Sequence, residues 1–214
     1  MQKKLFYFVK NKYFTLGIKY NLPCIYLKGG SDNILNKNEA KSAEKWVLWG
    51  IPSLFLGGSI LHFAFNALGK RPFVGLFAPV NESIWEHTKL AYIPTLFWWV
   101  GYWLKKGKNL PNKPYFSGAL TASVVSSAII PLLYYFYTGA FAFKSLWVDI
   151  SLLFIGISTG QLLGLHLFKR AKKGLPLYVS IACFILISLL YAFFTFNPPR
   201  LPLFCDPITK TYGI

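Results

Sequence analysis

Charge is scarce in this chain, and acidic charge scarcer still: 14% of its 214 residues are charged, with 7 Asp or Glu against 23 Lys or Arg. A soluble domain usually carries about a quarter charged residues, so there are too few here to coat a globular surface. Cysteine is almost absent, and Cys24, Cys183 and Cys205 show neither disulfide nor metal-ligand spacing. The apolar stretch at residues 5–9, behind a basic start, is too short for a signal-peptide core, so the first full span is expected to direct insertion. None of the histidines forms a His-x-x-x-His pair.

What is present is apolar. Hydrophobic residues make up 54% and aromatics 19%, the mean hydropathy is +0.42, and the length suits one compact domain. The net charge of +16 would fit a nucleic-acid binder only if the cations shared one folded surface. They sit instead in short segments between long apolar runs, as orientation in a bilayer requires. Nucleic acid is therefore not expected as a partner, and a lipid bilayer is.

Five runs approach the roughly 20 residues a bilayer core demands: 46–68, 84–104, 115–137, 146–168 and 175–196. Backbone groups in lipid must be satisfied within the chain, so runs of this kind are helices. The expected fold is all-α, a polytopic membrane helix bundle with about five transmembrane helices over residues 46–214. Residues 1–45 precede it as a basic segment, either a tail or a stretch lying on the membrane surface.

Nine lysines precede the first run, Lys105, Lys106, Lys108 and Lys113 follow the second, and Lys169, Arg170, Lys172 and Lys173 follow the fourth. With five spans these lie on one side, which the positive-inside rule makes cytoplasmic. The other side has Lys70, Arg71, Lys144, Arg200 and Lys210. The expectation is a plasma-membrane protein with a cytoplasmic N-terminus and an extracytoplasmic C-terminus. Gly156, Gly160 and Gly164 leave one face of the fourth run bare for close helix packing.

Ionisable residues inside a membrane are expensive and need a reason. At 1.5 Å rise per residue, His62, His87 and Asp149 fall roughly 7–10 Å below the outer surface, with Glu82 and Glu86 close by. These five are the candidate catalytic residues, and His62, His87 and Asp149 the candidate ligands of a divalent metal such as zinc. Simpler roles compete: Ser83-Ile84-Trp85-Glu86 fits a capping box, Asn81 can cap the same helix, and Lys89 can pair with Glu82 or Glu86. Pro198, Pro199, Pro202 and Pro207 exclude a regular helix in the tail. The tail, 195–214, is expected either to anchor at the interface or to fold over the bundle as a lid. The lid would bring Arg200 and Asp206, with Asn81 and Lys89, to the substrate side.

Pro79-Val80-Asn81-Glu82-Ser83-Ile84-Trp85-Glu86-His87, Pro198-Pro199, Pro202-Leu203-Phe204-Cys205-Asp206-Pro207 and Tyr212-Gly213-Ile214 resemble a bacterial family of small membrane proteins known only as a domain of unknown function. The resemblance runs from about Trp46 to Ile214 and implies no activity. More weakly, Asn81-Glu82 with Ile84-Trp85-Glu86-His87 is similar to a motif of adiponectin-type receptors, which belong with zinc-dependent membrane hydrolases. The expected function is a membrane-embedded hydrolase or transferase acting on a lipid or lipid-linked substrate from the outer leaflet. The alternatives are a non-catalytic scaffold or partner subunit and, third, a transporter. The last is disfavoured because there are no paired repeats and the polar groups occupy one half of the bilayer.

Overall fold

The computed structural model describes residues 37–214, apart from residue 172. The membrane-surface reading of the N-terminal segment falls on residues 1–36, outside the described residues. Six helices follow in order: α1 (Lys37–Ala67), the one-turn α2 (Pro72–Gly75), α3 (Ile84–Lys106), α4 (Asn112–Phe141), α5 (Leu146–Arg170) and α6 (Leu177–Phe196). Helix α1 starts nine residues before position 46, so residues 37–45 belong to the bundle; Ala43 and Val47 are buried against Trp99 and Tyr102 of α3.

Successive long helices run antiparallel. Trp46 of α1 meets Trp98 of α3 at one end, and His62 meets His87 at the other. Between α3 and α6, Tyr92 reaches Phe184 and Ser188 while Thr88 reaches Tyr191. All the inter-helix connections with few cations therefore gather at one end, together with the C-terminal tail. The lysine-rich connections gather at the opposite end.

Four of the five long helices, all but α3, are long and apolar enough to cross a bilayer. The molecule is a polytopic bundle of membrane type. Its outward side chains agree: Leu56, Ile60 and Phe63 on α1 and Ile185, Leu186, Leu189 and Phe193 on α6 are all more than half exposed. Such a continuous apolar surface has no place on a monomeric soluble protein. The fifth expected span, α3, is long enough but more polar, and the physical reason is its position. It packs against α1, α4 and α5 and, through Thr88, Lys89 and Tyr92, against α6, so Glu86, Thr88, Lys89 and Thr95 meet protein rather than lipid and are all buried. It runs unbroken through Pro94.

The tightest seam lies between α4 and α5. A Cβ at Gly156 would sit 2.6 Å from the Ser126 carbonyl oxygen, and one at Gly164 2.5 Å from that of Gly118. The small-residue stripe thus lets two backbones touch, as helix association in lipid favours. Deep in the bundle, Gln161 accepts a hydrogen bond from the Trp99 indole at 3.0 Å.

Candidate functional site

The segment between α2 and α3 is shaped by its own polar side chains. Asn81 Oδ1 accepts from the Ser83 amide at 3.0 Å, a local turn that delivers Ser83 to the N-cap of α3. The Ser83 hydroxyl accepts from the Glu86 amide at 3.3 Å, half of the capping box the sequence suggests. Replacing Ser83 by alanine is expected to lower stability by about 1 kcal/mol, read from thermal unfolding of the purified protein. The other half of the box does not form. Glu86 turns inward, accepts the Val80 amide at 3.0 Å and pairs with Lys89 at 2.6 Å.

That pair is fully enclosed, and Lys89 Nζ also donates to the Gly75 carbonyl at 2.8 Å and to Thr195 Oγ1 at 2.6 Å. All three ammonium donors have acceptors, which is the condition for keeping a charge buried. Glu86 and Lys89 are therefore structural, tying α2, α3 and α6 together, and neither faces the histidines.

Three of the five candidate catalytic residues converge. His62 Nε2 and His87 Nε2 are 3.1 Å apart. Glu82 Oε2 lies 3.5 Å from the first and 3.3 Å from the second. Among the described residues this is the cluster of metal-ligating atoms that all fall within 4.8 Å of one another. Asp149 is not in it: its carboxylate accepts the Tyr137 hydroxyl at 2.6 Å. The ligand set of His62, His87 and Asp149 is thus corrected, with Glu82 standing where Asp149 was expected. Asp149 lies seven residues before Gly156, on the glycine face of α5, and that face is turned to α4.

Two features set the cluster's geometry. Gly58, one turn before His62, lies so close to α3 that a Cβ there would be 2.7 Å from the Leu90 carbonyl oxygen. This close approach holds His62 against His87, and the sequence signalled it only as an unexplained glycine. The second is the hydrogen bond between His87 Nδ1 and the Ser83 carbonyl at 2.8 Å. A carbonyl can only accept, so Nδ1 carries a proton and, in the neutral ring, Nε2 is a bare lone pair aimed at the cluster. When protonated, the imidazoles of His62 and then His87 hold the Glu82 carboxyl well below the usual carboxylate range, so Glu82 is an anion at neutral pH. The side chains of His62, Glu82 and His87 keep 27%, 42% and 25% of their surface exposed, so the cluster is open to a small molecule.

The tail folds back onto this end. Phe204 is buried, its ring tilted against Trp85 at 5.0 Å and edge-on to Phe194 at 5.2 Å. Asp206 accepts the amides of Ile208 and Thr209 on Oδ1, at 2.7 and 3.1 Å, and the amide of Glu82 on Oδ2 at 3.2 Å. Burial opposes ionisation of Asp206, but the N–H groups of Thr209, Ile208 and Glu82 outweigh it and keep the carboxyl below its ordinary range. Asn81 Nδ2 donates to the Gly213 carbonyl at 3.0 Å. Gly213 has φ +64° and lies so near the Thr195 carbonyl that a Cβ would be 2.7 Å from it, so only glycine fits. Asn81 and Asp206 therefore fasten the tail to the site. Arg200 does not take part and is exposed.

Fold and cluster together define a small helical membrane protein with a His–Glu–His site at one end of its bundle. Residues 35–214 match a family of unknown function, DUF6512, and the chain belongs to that family. The match starts about eleven residues before Trp46, and α1 begins just inside it at Lys37. No curated protein and no solved structure matches the chain.

Proposed function

We propose that the chain is a membrane-embedded hydrolase or transferase acting on an amphiphilic, lipid-like substrate at the lysine-poor end of the bundle, the outer face of the plasma membrane by the distribution of its cations. The observation that supports this is the convergence of His62 from α1 with Glu82 and His87 from around the start of α3 on one partly exposed point. Nothing in the packing requires two imidazoles and a carboxylate there. The buried Glu86–Lys89 pair and the Asp149–Tyr137 bond tie the structure together without them.

Groups of this kind polarise and deprotonate a bound water. The water oxygen forms a bond to the acyl carbon or phosphorus of the substrate, the bond to the leaving oxygen or nitrogen breaks, and the released proton leaves with the alcohol or amine. In a transferase an acceptor hydroxyl takes the place of water. An amphiphile suits the surroundings: the Phe63 ring lies 5.0 Å from the His62 ring, and Phe63 and Phe73 are both largely exposed. An acyl chain in the outer leaflet would run along these side chains and bring its headgroup linkage to the cluster.

The test is turnover in lipid nanodiscs against a panel of amphiphilic esters, amides and phosphodiesters. Wild-type protein is expected to cleave one of these classes, with Glu82→Gln and His87→Ala reducing kcat/KM by about 10²-fold or more. Equal rates in all three proteins, or no cleavage of any class by the folded wild type, would reject the reading.

A further inference from the structure

We infer that His62 Nε2, His87 Nε2 and Glu82 Oε2 hold a single divalent transition-metal ion of the zinc class, and that Asp206 of the tail is its positioning residue. The inference deepens the proposed hydrolytic reading and uses the same three side chains, but a metal centre there would stand without turnover.

The 3.1 Å between the two imidazoles is hydrogen-bond length as well as ligand spacing, so the carboxylate distances are what favour a metal. A charge-assisted N–H···O hydrogen bond to a carboxylate is about 2.7–2.9 Å long. Glu82 Oε2 lies 3.5 and 3.3 Å from the two imidazole nitrogens, too far for such bonds, although all three atoms point at one another. The separations of 3.1, 3.3 and 3.5 Å make a nearly equilateral triangle. Zinc sits about 2.0–2.1 Å from nitrogen and oxygen ligands, so two corners of its tetrahedron are about 3.3 Å apart. The triangle matches one face of that tetrahedron, and no fourth metal-ligating side chain among the described residues joins it.

The donor chemistry agrees. Two imidazoles and one carboxylate suit zinc and its transition-metal neighbours, whereas calcium and magnesium prefer oxygen alone. Two neutral imidazoles and a carboxylate leave one net positive charge on the site. Ligating histidines usually give their other N–H to a carbonyl or carboxylate, which fixes the ring and its tautomer. His87 does so through Nδ1 and Ser83. Three protein ligands with an open position are the mark of a catalytic rather than a structural site. A metal there would supply the acidity that turns a bound water into a nucleophile at neutral pH.

Asp206 enters through the backbone. Its Oδ2 accepts the Glu82 amide, while Oδ1 is committed to the amides of Ile208 and Thr209. The tail thus fixes the backbone from which the third ligand projects. Asp206→Asn tests this with little change of shape. An asparagine has one acceptor oxygen; turned to the two tail amides, it presents its NH2 to the Glu82 N–H. The tail stays folded and the Glu82 anchor is lost.

The experiment strips purified, reconstituted protein with chelator, reloads it with zinc, and measures stoichiometry and Kd by competition. Cobalt(II) is used in parallel as a spectroscopic probe of tetrahedral ligation. Wild type is expected to hold one zinc per chain, and His62→Ala, His87→Ala and Glu82→Gln none. Asp206→Asn is expected to keep the stoichiometry with a Kd about 10–100-fold weaker, while Asp149→Asn matches wild type. Thermal unfolding of the metal-free forms shows which variants are folded, and His62→Ala, on a different helix, guards against a misfolded His87→Ala. Folded wild type without stoichiometric metal, or zinc retained in both histidine variants, overturns the metal centre. An unchanged Kd in Asp206→Asn overturns the positioning role alone. Zinc bound without turnover rejects the hydrolytic reading and keeps the metal. Turnover that survives complete chelation does the reverse.

Discussion

Replacing Lys89 by methionine is expected to lower the stability of the bundle by about 3–5 kcal/mol, the usual result of removing one partner from a buried ion pair. Methionine fills much the same volume, so the loss is electrostatic rather than a cavity. Glu86 would keep the Val80 amide and lose the cation 2.6 Å from its oxygen. The Gly75 carbonyl and Thr195 hydroxyl would lose the same donor. Three segments are joined at that ammonium, so its removal loosens α2 and the end of α6 together. Thermal unfolding in detergent measures the loss. The double variant Lys89→Met, Glu86→Leu is expected to recover much of it, because replacing a whole buried pair by apolar groups is far less harmful than breaking it. A single variant as stable as wild type would mean that the pair contributes nothing.

Gly160→Leu should be as damaging by a purely steric route. At Gly160 even a Cβ would lie 2.5 Å from the Ala122 carbonyl oxygen, and closer still to the Ser126 hydroxyl. The hydroxyl can rotate away, but the Ala122 oxygen and the Ser126 amide nitrogen, 2.7 Å off, belong to the backbone of α4 and cannot. The helices must separate along their closest seam, with an expected loss of about 3 kcal/mol or more. Gly57→Leu is the matched control, since nothing lies within 4 Å of a Cβ there. It should unfold near the wild-type temperature, and equal damage in both variants would show that the α4–α5 contact is not what makes Gly160 sensitive.

The two halves of the candidate site differed in how far they could be seen in the chain alone. His62 and His87 were visible because rise per residue is a fixed length, and it placed them at one depth. Glu82 stood among the candidate acids, but which acid joins the histidines was not legible, because depth does not specify rotation. Asp149 shares a depth with the histidines, yet it lies on the face of α5 that carries Gly156, Gly160 and Gly164. That face packs on α4, where Tyr137 takes up the carboxylate. Glu86 is one residue from His87, about 100° around the helix, and is turned to Lys89. Glu82 lies before the helix starts, where no periodicity applies. Its aim comes from Ser83 as N-cap and from Asp206 across 124 residues of sequence. The role of Gly58 was hidden for the same reason, since a bare glycine says that something approaches but not what.

The His–Glu–His cluster is therefore a product of two kinds of information. Hydropathy and the distribution of lysines determined by themselves that the chain forms a bundle of long apolar helices, and at which end its buried polar groups lie. Both follow from transfer free energies that act residue by residue. Tertiary structure alone decided which carboxylate joins the histidines, that Glu86 and Lys89 close on each other, and that the tail reaches back to Glu82. Those choices depend on helix rotation and on contacts between distant segments, where packing of a few glycines and a handful of hydrogen bonds outweighs any local preference.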